Sequence, residues 1–323
     1  MRKFLNPASF GLTSLFIVNS LLAFQESNPR ALITDIKGQV MIKKNQKTDF
    51  IGATWGMQLY EGDRLKTLAA SEVAILFANN NLITLGQNST ITVSEGPGTL
   101  RNNTQVKTDA ALFADLSSLA LHKTSDGEIG ALAGLRSGSP AYYIELQSPR
   151  NAKIRSNRPD FKWSSRGDFD RFTVKLFDKN RLVWSRQVSK TKLDFPAAEK
   201  PLGEDTFYFW QVEGEGLFET SKSRSVEFAV LSQSECEEIK LQEKKIEELF
   251  KVKQSSSYCF ALGALYKKMG LLEDAIKQFE IIAQIHSDVA LPYEILGGLY
   301  STIGLKDKAI VALQTAVKLS RKE

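Results

Sequence analysis

Histidine and cysteine are nearly missing from this chain, with two of each among 323 residues. His122 and His286 lie in different regions, and neither has a cysteine or an acidic residue at ligand spacing, so zinc sites of the common types are not expected. Cys236 and Cys259 are too few for a disulfide framework. Both fall in segments that read as helix and could lie side by side, which leaves open one bridge or two small buried apolar residues. No Gly-x-Ser-x-Gly elbow, phosphate-binding glycine loop or dinucleotide fingerprint occurs, so neither an enzyme nor a bound cofactor is expected.

Long blocks of one charge sign are absent too. Lys and Arg number 42 against 37 Asp and Glu, a net charge of +5, with the signs interleaved along the whole length. That pattern describes a mildly basic solvated surface, and no nucleic-acid partner is expected. The composition, 42% hydrophobic and 24% charged, is that of a folded globular chain, and the length calls for two or three domains. Asn88-Ser-Thr90 and Asn102-Asn-Thr104 have glycosylation spacing, which the local richness in asparagine explains.

What is present first is one short apolar run. Met1-Arg2-Lys3 gives a positive start, Phe10 to Phe24 is almost wholly apolar, and Gln25 to Pro29 resumes polar sequence. A charged start followed by a short apolar stretch is the pattern of a secretory signal, and the run is short for a bilayer crossing. Residues 1–24 are therefore expected to be a signal peptide cut after Ala23, although Leu21 is large for the −3 position and no cysteine is there to accept a lipid. The alternative is an uncleaved anchor over residues 10–24, which would be the only membrane attachment. Either way the chain is expected to be exported to the periplasm or cell envelope.

From Ala31 to Val93 the signal is β. Gln39 to Lys43, Glu72 to Phe77, Asn81 to Gly86 and Ser89 to Val93 are short runs rich in β-branched residues, separated by Gly and Asn turns. Such spacing suits a compact sandwich, barrel or solenoid, with Gly38, Gly62 and Gly86 at the bends. The segment Gly56-Met-Gln-Leu-Tyr-Glu-Gly-Asp-Arg-Leu-Lys-Thr67 resembles the signature of the FecR domain, and the likeness covers about Ile33 to Val93. In that resemblance Gly62-Asp63 is a turn element, with Asp63 able to bond nearby backbone N–H groups; it is not half of a catalytic carboxylate pair with Glu61. FecR itself is an iron-dicitrate signal transducer with a cytoplasmic segment before its membrane span. Only Met1 to Ser9 precede the apolar run here, so the shared domain does not carry the anti-sigma mechanism with it.

Residues 94–146 are expected to connect. Glu95 to Gly98 and Arg101 to Thr104 read as turns or loops, Asp109 to His122 as one amphipathic helix, and Lys123 to Pro140 as a linker rich in Gly, Ser and Ala. From 147 to 231 the period returns to two, with aromatics at alternate positions in some six or seven strands, which describes an antiparallel β-sandwich. The Arg158-Pro-x-Phe-x-Trp163 opening and the Tyr208-x-Trp-x-Val212 strand resemble fibronectin type III or immunoglobulin-like modules. Trp163, Trp184 and Trp210 read as core, with a sugar-stacking platform as the alternative.

The chain ends in a repeat. Leu262-Gly263, Tyr266, Gly270, Ala275-Ile276 and Phe279 recur as Leu296-Gly297, Tyr300, Gly304, Ala309-Ile310 and Leu313, each 34 residues on. These residues at this period resemble the tetratricopeptide repeat, so 234–323 is expected to be a helical domain with repeats at 256–289 and 290–323. Ser234 to Lys253 is expected to add an amphipathic capping helix. The resemblance implies a concave face that binds a protein segment through Phe260, Ala264, Lys267 and Lys268 of one repeat and Glu294, Gly298 and Ser301 of the next. Ala264 and Gly298 stand at the two Asn positions of the subgroup that clamps a chain terminus, which argues against that mode.

The expected fold is thus multidomain β plus α: a FecR-like all-β domain, a sandwich and helical hairpins. The expected function is a non-catalytic envelope scaffold gripping a protein partner. The alternatives are a FecR-like transducer, or a binder of envelope glycan or peptidoglycan through exposed tryptophans. An exported and processed chain begins near Phe24. N-terminal sequencing of the protein recovered from cells tests this, and a chain still starting at Met1 would favour the anchor.

Overall fold

A computed structural model of the chain describes residues 28–79, 81–94, 104–108, 143–250, 252–253 and 255–321. The expected signal segment, the expected helix from Asp109 to His122 and the stretch from Lys123 to Pro140 lie outside the described residues.

The β-branched runs at the start form nine short strands. They are β1 (Ala31–Lys37), β2 (Val40–Lys43), β3 (Ile51–Gly52), β4 (Gln58–Leu59), β5 (Arg64–Thr67), β6 (Glu72–Phe77), β7 (Asn81–Leu85), β8 (Thr90–Thr92) and β9 (Thr104–Thr108). One antiparallel sheet has the order β4-β1-β6-β7-β9 and the other β3-β2-β5-β8. The expectation of loop up to Thr104 misses β9, which pairs along the whole of β7. Its sequence, Thr-Gln-Val-Lys-Thr, has β-branched residues at alternate places but only one apolar residue to announce it.

Alternation in the first sheet sends side chains into two different cores. Ile33, Ile75, Phe77, Ile83 and Leu85 meet Ile42, Leu65 and Ile91 of the second sheet. Their neighbours Leu32, Leu76 and Leu82 point the other way and join the core of the helical region. Each of these leucines is at most 3% exposed, and full burial of such a side chain contributes about 1.5–3 kcal/mol. Asp63 holds the β4–β5 turn. Its carboxylate accepts from the backbone N–H of Asn45 (2.9 Å) and Tyr60 (3.0 Å), and pairs with Lys44 at 3.0 Å. Gly62 before it has φ +85°, and an added Cβ would lie 2.6 Å from the Asn45 amide.

The second β unit uses β10 (Tyr143–Ser148), β11 (Ala152–Ile154), β12 (Asp160–Arg166), β13 (Arg171–Asp178), β14 (Arg181–Val188), β15 (Lys192–Asp194), β16 (Thr206–Glu215), β17 (Thr220–Lys222) and β18 (Val226–Val230). A sheet β10-β12-β15 faces a sheet β11-β18-β16-β13-β14, with β17 beside β16. All pairs are antiparallel except β11 with β18, which run parallel. This is an immunoglobulin-like sandwich, and it opens at Tyr143, ahead of the expected boundary at 147. Trp163, Trp184 and Trp210 alternate inward around Phe161, whose ring lies 4.9 Å from that of Trp210. With Trp55 at 2% exposure and these three at 4%, 9% and 0%, no tryptophan offers a face for stacking a sugar.

Five helices follow: α1 (Gln233–Leu249), α2 (Ser256–Lys268), α3 (Leu272–Ile285), α4 (Leu291–Ile303) and α5 (Lys306–Ser320). Ser232 and Glu235 close a capping box at the start of α1, which buries Ile239 and Ile246. Helices α2/α3 and α4/α5 form the two hairpins of the repeat, and α1 packs on α2 as α3 packs on α4. The Tyr266 hydroxyl donates to Glu243 of α1 (2.7 Å), and the equivalent Tyr300 donates to Glu280 of α3 (2.5 Å). Both cysteines are free thiols, Cys259 buried and Cys236 half-buried. Among the described residues, no helix is long and apolar enough to cross a membrane.

Small residues set the spacing within each hairpin. A Cβ on Gly263 would lie 2.6 Å from the Phe279 ring, and one on Gly297 would lie 2.5 Å from Leu313. Next to Gly298 a Cβ would meet nothing within 4 Å. Gly297→Ala is therefore expected to lower stability by about 1–3 kcal/mol through overpacking. Gly298→Ala is expected to be neutral or to stabilise by up to about 1 kcal/mol through helix propensity. Urea denaturation of the two variants checks the contrast.

Candidate interaction site

The first helix of each hairpin carries the residues expected to face a ligand. Structure separates them into two sets. In the first repeat Phe260 is 1% exposed and Ala264 3%, so neither is presented to an outside partner. In the second repeat Gly298 and Ser301 are exposed and Glu294 is half-buried. Lys267 and Lys268 are exposed at the end of α2, where partial desolvation still pushes the Lys267 amine below the usual lysine value.

Phe260 is covered on one side by Phe279 of α3, edge-on at 5.7 Å, and on the other by the chain's own N-terminal β unit. Ser257, one turn before Phe260 on α2, donates its hydroxyl proton to the Thr34 carbonyl at 2.9 Å and also lies 3.1 Å from the Thr34 hydroxyl. The same carbonyl accepts from the Trp55 indole N–H at 2.7 Å. It is free to do so because β1 slips register on β6 between Ile33 and Asp35, leaving Thr34 as the extra residue of a bulge. The Trp55 ring meets Phe260 edge-on at 6.2 Å and stacks on His286 at 4.8 Å with a 12° tilt. Gly56 then turns beside Val289 and Leu291, between the hairpins; a Cβ there would lie 3.1 Å from Val289.

A cavity of about 380 Å³ opens at the margin of this joint, lined by Asp35, Glu72, Leu82, Phe250, Ser257 and their neighbours. Burial pushes the Asp35 carboxyl up, against its hydrogen bond from the Ile36 N–H, and Glu72 adds to the rise.

The sandwich grips the opposite ends of the same helices. Carbonyls at a helix C-terminus lack internal partners and carry partial negative charge. The Arg150 guanidinium donates to Ile303 O (2.6 Å), Gly304 O (2.8 Å) and Leu146 O (2.8 Å), and the Asn151 amide donates to Ile303 O at 3.0 Å. In the first repeat the Lys153 N–H takes the Gly270 carbonyl at 2.8 Å. Glu273 accepts from the Ser148 hydroxyl (2.6 Å) and the Arg150 N–H (2.9 Å). Burial nonetheless pushes its carboxyl above the ordinary range. Arg155 lies over the Tyr266 ring at 5.0 Å and pairs with Glu243 at 2.7 Å.

Among the described residues, no group of three potential metal ligands stands together. The alternation and the repeat period pointed to the right helices. They gave no sign of Thr34, Trp55, Ser257, His286 or Arg150, whose partners are distant in sequence and mostly backbone atoms.

The family model described as tetratricopeptide repeat matches residues 292–323, the second hairpin, and a repeat of this kind points to protein–protein interaction. No curated protein matches the chain. Among solved structures, it is similar to an FN3tt mutant (12% identity, 28% of this chain and 88% of that one, TM-score 0.18). It is also similar to the FN1–FN3 domains of chicken CNTN1 (11% identity, 64% and 57%, TM-score 0.23). A third likeness is to a beta-1,2-glucanase from Parabacteroides distasonis (11% identity, 90% and 49%, TM-score 0.23). The chain thus spans less than two thirds of the latter two, and at these TM-scores the sandwich rests on its own strand order.

His286 gives the joint a pH dependence. Burial lowers its pKa from 6.5, while Asp288 opposes the shift, and its Nε2 lies 2.7 Å from the Ser256 hydroxyl. The folded state favours the neutral ring, so this contribution is full above pH 6.5 and is lost as pH falls through and below that value. Lowering the pH from about 7.5 to about 5.5 is expected to destabilise the wild type more than His286→Gln, which has no imidazole to charge. Urea midpoints of both proteins at the two pH values measure the difference.

Proposed function

We propose that this chain is a non-catalytic, exported scaffold of the cell envelope that holds a protein partner on the open half of its repeat face. The observation that carries the reading is the second hairpin. It matches the tetratricopeptide repeat, and its first helix leaves Gly298 and Ser301 exposed beside Glu294. Gly298 is exposed with open space where a Cβ would stand, which lets a partner backbone approach the helix closely.

The other parts fit a scaffold. Each β unit has a core of its own, and the sandwich fastens both repeats by their helix ends through Arg150, Asn151 and Lys153. Export is supported by the apolar run from Phe10 to Phe24 after a basic start. The FecR-like reading of the first β unit is supported by the Gly62-Asp63 turn, where the aspartate bonds two backbone N–H groups. A glycan-binding role lacks its motive, since all four tryptophans are buried.

The test is site-specific photo-crosslinking in cells. A photoreactive residue in place of Ser301 is expected to give an adduct with one defined envelope protein. The same residue in place of the exposed Gln314 on α5 is expected to give none. No adduct from position 301 or 298, or the same adducts from 314, would remove the repeat face as the working surface.

A further inference from the structure

We propose that the N-terminal β unit is an intramolecular ligand of the first repeat, so that this repeat receives an outside protein only when the β unit lifts away. The inference rests on the repeats being a partner site, and it says which half is held in reserve.

The two hairpins provide their own comparison. Phe260 and Ala264 correspond, 34 residues on, to Glu294 and Gly298. The first pair is buried and the second is half-buried and exposed, respectively. Within the first hairpin Phe260 meets Phe279 edge-on at 5.7 Å, and the β unit adds a second cover from outside the repeat. Thr34 and Trp55 form that cover, contacting Ser257 and Phe260, two residues on the ligand-facing side of α2. The occupant is an extended backbone carbonyl beside a large aromatic side chain. An outside protein that takes this place must present the same chemistry: an extended segment with an aromatic residue beside a carbonyl that accepts from Ser257.

The two attachments of the helical region also differ in kind. The sandwich is fixed by a loop that closes helix ends, with Arg150 alone donating to the Ile303 and Gly304 carbonyls. The β unit rests on a lateral face, through Leu32, Leu76 and Leu82, one aromatic edge and one carbonyl shared by two donors. A lateral contact can part as a unit without unwinding either element, and the apolar share makes the docked state the resting one.

The test uses the full chain in three forms: wild type, Trp55→Ala, and a Thr34→Cys, Ser257→Cys staple on a Cys236→Ser, Cys259→Ala background. Hydrogen exchange of α2 amides is expected to quicken about tenfold in Trp55→Ala with α4 and α5 unchanged, and to slow in the oxidised staple. The adduct yield from a photoreactive residue at 267, on the exposed end of the first repeat, is expected to fall about threefold in the oxidised staple and to recover on reduction. Unchanged α2 exchange, or all helices quickening together, overturns the proposal, because the β unit would then be an inseparable part of one core. A yield indifferent to the staple also overturns it while leaving the partner site intact. If no form gives an adduct, at 267 or at 301, the partner-site reading fails instead, and the gate fails with it.

Discussion

The first sheet of the molecule buries apolar side chains on both of its faces, and most of the architecture follows from that. An antiparallel sheet in a sandwich ordinarily buries one face and wets the other. Here β1, β6 and β7 bury Ile33, Ile75 and Ile83 against the second sheet, and Leu32, Leu76 and Leu82 against the helices. A strand apolar on both sides cannot stand alone in water without exposing one of them. In the docked state the helices cover that second face, and the sheet in turn covers the flank of α2. Two hairpins are a short array, and each repeat needs a neighbour to cover its apolar flank. Helix α1 covers the front of the array, with Glu243 meeting Tyr266 as Glu280 meets Tyr300, and the sheet covers the side.

The sandwich solves a different problem. Carbonyls at the ends of α2 and α4 would otherwise face water or an empty joint. Arg150, Asn151 and the Lys153 N–H satisfy them from one loop, itself tied down by the Trp210 indole N–H on the Pro149 carbonyl at 2.7 Å. One buried tryptophan of the sandwich core thus helps place the residues that hold the repeats. The three parts are linked by contacts of distinct character: apolar and lateral on one side, polar and terminal on the other.

Much of this was legible in the sequence, and the boundary of legibility is physical. The hairpins could be read because close helix packing demands glycine at 263 and 297, with bulk at Phe279 and Leu313 opposite, and that demand recurs at a fixed period. The inward tryptophans could be read from period-two alternation, and Asp63 from the resemblance that makes Gly62-Asp63 a turn element. The strand β9 was not legible, since one valine among polar residues makes a weak signal. The burial of Phe260 and Ala264 was not legible either. An apolar residue on a helix looks the same whether a neighbouring helix, a ligand or a sheet more than 200 residues away covers it. Arg150 escaped notice because its partners are main-chain carbonyls, which leave no trace in side-chain spacing.

The bulge at Thr34 has a consequence for how such a chain could have been assembled. Ile33 and Ile36 both face the β core although three positions separate them, because the surplus residue absorbs the extra step. Without Thr34 the strand would alternate without interruption and the β core would keep its pattern. What would vanish is the carbonyl on which Trp55 and Ser257 converge. A single codon thus decides whether the β module meets its repeats through leucines alone or also through one fixed polar point that sets how it sits on them.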